Sequence, residues 1–294
     1  MANQSRELRR RMKSIANTKK ITKTMELVAA SRLKKALDRV AAAKPYAEAL
    51  RGVIADLVTP ELAEAFPLLR TPAPPAKGGP RRAVVLLATS NRGLCGAFNA
   101  NLIKEARRRV EELEAAGYQV ELHGIGRKGI GFFKYQGRPM ASERLDVGDK
   151  PTPEHATSII APFLPAFERG ELASVDFVHA HYRSALSAPP TTTRVLPVET
   201  PAAAASGPRK DYLLEPDAPA ILGALLPLYV RNMVYRGLCE TAAGEQSARR
   251  TAMKSATDNA GELFELVKRT YNKGRQAAIT QEIAEVVGGA AALG

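Results

Sequence analysis

Four stretches of this 294-residue chain place side chains where chemistry could occur. "GIGRKG" (124–129) fits G-x-G-x-x-G directly after an apolar strand-like run. Glycines at that spacing let a backbone close on a pyrophosphate, and an acid roughly twenty residues on can hold a ribose hydroxyl. Glu143, Asp146 and Asp149 lie in that range. The fingerprint expects the first strand of its unit, whereas this one follows the second, and "YQGRP" cuts short any helix after Gly129. A turn into a short helix uses the same residues without a ligand. "SNRGLCGAFNANL" (90–102) is a Gly-rich loop before a helix, a place that can hold phosphate, but it lacks the GK[ST] ending of a P-loop. Cys95 could act as a nucleophile, yet no His or acid is placed beside it, and a tight turn at the sheet edge is the better use. His179 and His181 alternate with apolar residues on a strand and could form a metal pair. No Cys or acid with ligand spacing joins them, so they read as structural or surface histidines.

The fourth stretch is a basic run. Residues 1–40 hold Arg6, Arg9, Arg10, Arg11, Lys13, Lys19, Lys20, Lys23, Arg32, Lys34, Lys35 and Arg39 against Glu7, Glu26 and Asp38, a net +9 of the chain's +13. Such a helix face can be merely solvated, can bind nucleic acid, or can run beside acidic protein loops. Trp is absent and aromatics are only 5%, which supplies a base-stacking surface poorly. The two cysteines, Cys95 and Cys239, sit in no CxxC motif and read as free thiols of a reducing compartment. No secretory signal and no membrane-spanning run are expected, because the N-terminus is basic without an apolar core and no apolar stretch reaches the needed length.

The elements that position these residues follow from periodicity. Residues 3–57 read as one long helix, with large apolar residues in blocks (Leu8, Met12, Ile15; Ile21, Met25, Val28; Leu33, Leu37, Val40) at steps of three and four with slips between them. Pro45 is expected to kink or split it. A Pro/Gly-rich linker falls at 67–82. "AVVLLAT" (83–89), 118–125, 174–182 and 192–199 read as strands, separated by helices at 99–117 and about 153–169, which implies a mostly parallel, βαβ-built sheet. After a second loose stretch (200–210), residues 228–287 form a proline-free helical pattern rich in Ala, Gly and Thr. Two helices of this length exceed what a domain of 83–199 can bury, so they are expected to pack on each other as an antiparallel coiled coil.

Four separated blocks then resemble one family. "IANTKKITKTMELVAASRLKKA" (15–36), "NRGLCGAFNANL" (91–102), "SARRTAMKSATDNAGEL" (247–263) and "YNKGRQAAITQEIAEVVGGAAAL" (271–293) are similar to the gamma subunit of F-type ATP synthases. The resemblance implies an α/β fold in which an antiparallel coiled coil of long N- and C-terminal helices carries a Rossmann-like α/β domain between them. The expected division is 1–58 N-terminal helix, 59–82 linker, 83–199 Rossmann-like domain, 200–227 connecting foot segment and 228–294 C-terminal helix.

As implied by the resemblance, the chain is a non-catalytic rotor turned by proton flow, one copy per complex, on the cytoplasmic face of a bacterial cell membrane and touching the membrane only through the complex. Its partners are the alpha and beta subunits, the epsilon subunit and the c-ring, with no cofactor, no metal and no nucleic acid. Met25, Arg249, Arg275, Gln276, Thr280 and Glu282 match positions that meet beta, while Tyr212 and Glu215 in "DYLLEPD" match the foot near the c-ring and epsilon. The apolar C-terminal tip would sit in a hydrophobic sleeve. Two residues depart from the family: Arg250 replaces an apolar residue, and Gly274 replaces Ala. The alternative from another class is a basic coiled-coil nucleic-acid-binding protein.

Overall fold

The structure, a computed structural model, describes residues 2–70, 81–199, 215 and 217–293, with the side chains of 2–4 and 289–293 outside that description. The chain divides into a helical unit, Met1–Ala29 with Arg249–Gly294, and an α/β unit, Ala30–Ala248. Helix α1 spans Ala2–Leu57 as a single element. Its buried residues include Ile15, Thr22, Ala29, Ala36, Ala43, Leu50 and Leu57, an unbroken seven-residue spacing. The slips expected from the large apolar residues are therefore absent: Thr and Ala keep the register where bulky side chains do not. Pro45 lies on the exposed face between Ala43 and Leu50, so water can reach the carbonyl it releases, and α1 continues through it.

In the α/β unit, α2 (Pro60–Ala65) starts at Thr59, whose hydroxyl accepts the amide of Leu62 at 3.3 Å. Strand β1 (Arg81–Ala88) leads through α3 (Phe98–Ala115) to β2 (Tyr118–Ile125), then through α4 (Arg127–Tyr135) to β3 (Ser142–Arg144). Helices α5 (Pro153–Ile160) and α6 (Phe163–Glu168) precede β4 (Leu172–Ala180) and β5 (Pro190–Leu196). The sheet order is β3-β2-β1-β4-β5; the first four strands are parallel and β5 pairs antiparallel with β4. Strand β3 carries no apolar alternation, only Ser, Glu and Arg, which is why periodicity did not reveal it.

Residues alternate across β1 with the two-residue period of a strand. Ala83, Val85 and Leu87 join α3 and α4 through Leu102, Ala106, Val110 and Phe133. Val84, Leu86 and Ala88 face the opposite core, built from Ile54 and Leu57 of α1, Ile160 and Phe167 of α5 and α6, and the start of α7. Helix α7 spans Ala218–Leu293 and so begins ten residues before Leu228, running through Pro227. Leu222, Leu226, Val230, Val234 and Leu238, one turn apart, are all buried there. Each such side chain contributes about 1.5–3 kcal/mol on burial, which together outweighs the roughly 3 kcal/mol that an internal proline costs a helix.

The glycines of "GIGRKG" serve this packing. Gly126 has φ 95°, and a Cβ there would lie 2.0 Å from the carbonyl oxygen of Thr89. Gly129 packs on the same threonine, its amide donating to Thr89 Oγ1 at 2.9 Å. The space a pyrophosphate would need beside these glycines is filled by the end of β1. Gly126→Ala is expected to destabilise the α/β unit by about 3 kcal/mol or more, from left-handed strain and overpacking together; the midpoint of urea unfolding measures it.

Candidate partner interface

In the helical unit α1 and α7 run antiparallel. Arg9 donates to the Tyr271 hydroxyl at 2.7 Å with its guanidinium 5.7 Å from the ring centre, Lys19 lies over Gly261, and Thr257 donates to Thr22 at 2.8 Å. The Arg9 hydrogen bond holds the Tyr271 phenol below its ordinary pKa. Ile15, Ala260 and Val267 form the buried centre, flanked by Leu8, Met12 and Phe264. The seam is thin. Thr22 and Ala29 face inward, whereas Ile21 and Val28, read from sequence as seam residues, are exposed together with Leu27 and Leu266. The Thr22–Thr257 hydrogen bond accounts for this: it needs two short side chains at close approach, and it turns the bulky neighbours out.

The register of these pairs carries α7 past the start of α1 from about Ile279 onward. Ile279, Ile283 and Val286 recur at i, i+4, i+7 and are 49%, 59% and 72% exposed, with Val287 beside them. At 3.6 residues per turn, Arg275 and Glu282 flank one side of this stripe and Gln276 and Thr280 the other. All four are exposed. The Thr280 hydroxyl donates to the Gln276 carbonyl at 2.9 Å, and Gln281 and Glu285 hydrogen-bond to each other on the far side of the helix. This is a coiled-coil stripe with polar edges and no facing helix among the described residues.

The α/β unit keeps the crevice where an open sheet of this kind takes ligands, at the carboxyl ends of the strands between β1 and β4. Here α7 occupies it. Gly237–Ser247 are buried on every side. The Ala180 amide donates to Thr241 Oγ1 at 3.1 Å, the Ser247 hydroxyl to the Ala185 carbonyl, and Gly244 sits against Phe98 and Ala180. Buried Glu240 is held by His181 Nδ1 at 2.6 Å and Arg236 at 2.8 Å. His179 stacks on Phe177 with ring centres 5.0 Å apart and bonds Thr193 at 3.0 Å; burial pushes its pKa down and keeps it neutral. The two histidines thus serve different partners, and no metal-binding cluster occurs among the described residues. Cys95 and Cys239 are buried and form no disulfide with each other. The loop after β1 is closed by its own side chains: the Ser90 amide donates to Asn99 Oδ1 and the Arg127 amide to Asn91 Oδ1, each at 3.0 Å.

A family model described as ATP synthase matches residues 4–293. The ATP synthase gamma chain of Gemmatimonas aurantiaca is 59% identical over 289 residues, 98% of each chain, and that of Frankia casuarinae is 43% identical over 300 residues, 100% of this chain and 99% of the other. The chain belongs to the ATP synthase gamma-chain family. A chain of the Euglena gracilis mitochondrial ATP synthase, solved as OSCP/F1/c-ring in rotational state 3, shares the fold with a TM-score of 0.67 at 19% identity, over 100% of this chain and 95% of that one. Its α/β class with long terminal helices matches the architecture seen here. Family membership sets aside the nucleic-acid-binding reading.

Of the residues expected to meet beta, Arg275, Gln276, Thr280 and Glu282 gather within two turns around the bare stripe, and Met25 is half-buried on the α1 side of the helix pair. Arg249 is only 8% exposed, so this chain by itself does not offer its side chain to a partner. Glu215 is exposed, while Tyr212 lies outside the described residues. Arg250, where the resemblance implies an apolar residue, is exposed, so an arginine there costs no packing. What sequence reading missed is the exposed set Ile21, Leu27, Val28 and Leu266; the signal was the surplus of large apolar residues over the single seven-residue seam. Gly274 is exposed with nothing near the position of a Cβ. Gly274→Ala is expected to stabilise the helical unit by about 1 kcal/mol, seen as a later loss of helical circular dichroism on heating.

Proposed function

We propose that this chain is the central-stalk rotor of a bacterial F-type ATP synthase, turning inside the alpha/beta hexamer so that transmembrane proton flow drives ATP synthesis, with no catalytic site of its own. The observation that carries this reading is the bare stripe Ile279, Ile283, Val286 with its polar flanks. A helix end this apolar is costly in water, at about 25 cal/mol for each Å2 of apolar surface left exposed, and a ring-shaped apolar sleeve covers all of its faces while leaving it free to turn. Arg275 with Glu282 and Gln276 with Thr280 give the rim of such a sleeve polar contacts. The thin Thr/Ala seam keeps the helix pair slender. The basic first half of α1 suits acidic loops of beta, an attraction that salt screens. Met25 and Arg249 would complete the beta contacts, and Tyr212 and Glu215 would reach the c-ring and epsilon. The crevice filled by α7 supports a gamma chain without a nucleotide site, and in this reading the chain is present as one copy per complex, held peripherally on the cytoplasmic face of the membrane by its partners.

The test is reconstitution with cognate alpha and beta subunits, with and without residues 279–294. The full chain is expected to assemble one per hexamer with ATPase activity, and the truncated chain to assemble less stably and deliver less torque. Failure of the full chain to enter a hexamer under any condition would overturn the assignment.

A further inference from the structure

A cleft of about 480 Å3 in the α/β unit has no part in the rotor reading. It is lined by Arg32, Lys35 and Arg39 of α1, Arg92 of the loop after β1, and Asp149 and Lys150 of the loop after β3, with Asp146 and Gly148 completing the wall. We propose that this cleft binds a small phosphate-bearing oxyanion.

The charge balance is the first argument. Five cations converge from three distant segments on two carboxylates. Asp149 is already shared: its carboxylate accepts Arg32 at 2.6 Å and Arg92 at 3.4 Å, and its carbonyl accepts Arg39 at 3.1 Å. Asp146 is engaged by Arg144 through two bonds of 2.8 and 2.6 Å, which hold its carboxyl down to about 2. Lys35 and Lys150 have no carboxylate partner among the described residues, and Arg39 has only the carbonyl. Like charges gathered this way repel one another, and an anion between them removes the repulsion. Guanidinium forks match the oxygens of a phosphate in pairs, and ammonium groups add point charge.

Shape and place argue for a small ligand. The volume falls within the usual range for small-molecule clefts, roughly 300–1,000 Å3. Two of the three walls are loops at the carboxyl ends of parallel strands, where open α/β sheets present ligands. The main crevice there is filled by α7, and this cleft is the space left beside it. A bound oxyanion would tie α1 to the loops after β1 and β3 and so stabilise the folded unit by mass action.

The experiment titrates the full chain with inorganic phosphate and with pyrophosphate by calorimetry, and follows the thermal midpoint, at ionic strength held constant with potassium chloride. Saturable binding is expected, tighter for pyrophosphate, with a matching rise in the midpoint. Lys35→Gln with Lys150→Gln should weaken it at least tenfold without lowering the anion-free midpoint, since neither side chain holds a structural contact and the loss of two charges relieves repulsion. Lys13→Gln with Lys20→Gln, equally basic but outside the cleft, should leave it unaltered. Three results would each overturn the proposal: no saturable binding of either anion; binding reduced equally by both pairs of substitutions, which is general attraction to a basic chain; or a glutamate-rich peptide that binds with dependence on Lys35 and Lys150 where pyrophosphate does not.

Discussion

The structure depends on a seam of small side chains. Along α1 a series of buried positions runs at seven-residue spacing from Ile15 to Leu57, and its four members between Ile15 and Leu50 are one threonine and three alanines, with Leu33 buried beside them. Small side chains let a neighbouring helix come close, and close approach lets Thr22 and Thr257 share a hydrogen bond across the helical unit. The cost is area. Ala and Thr remove little apolar surface from water, so the helix pair gains less from burial than a Leu-lined pair would. Length, antiparallel pairing and peripheral contacts such as Arg9 with Tyr271 make up part of the difference.

The large apolar residues that the seam excludes form an exposed apolar surface. Ile21, Leu27, Val28 and Leu266 point outward, and past the start of α1 the whole stripe of Ile279, Ile283 and Val286 does so. In a monomer this is an unmet cost. In the rotor proposed above it is the surface offered to partners.

The middle of α7 meets the opposite condition. Between Gly237 and Ser247 it is enclosed on every side, with Gly237 and Gly244 admitting Phe177, Phe98 and Ala180 to the helix backbone. A helix placed there closes the crevice that this sheet topology otherwise offers to a nucleotide. It also requires the buried carboxylate of Glu240 to find partners on the spot, and His181 and Arg236 hydrogen-bond to it. An uncompensated buried carboxylate would cost several kcal/mol.

Sequence by itself determined the two long helices, the order of four of the five strands and the apolar tip, because helical and strand periods are local and survive without knowledge of neighbours. The four family blocks settled what the chain belongs to. Strand β3 was illegible, since three polar residues at a sheet edge carry no period, and Pro227 concealed the true start of α7, since local propensity is overruled by five leucine and valine side chains buried one turn apart. Only the tertiary structure decided which face of α1 turns inward, that the glycines of "GIGRKG" serve Thr89 and not a phosphate, and that α7 fills the crevice. The physical reason is common to all three: each depends on what lies across the gap, and close packing between segments far apart in the chain leaves no periodic trace in either one.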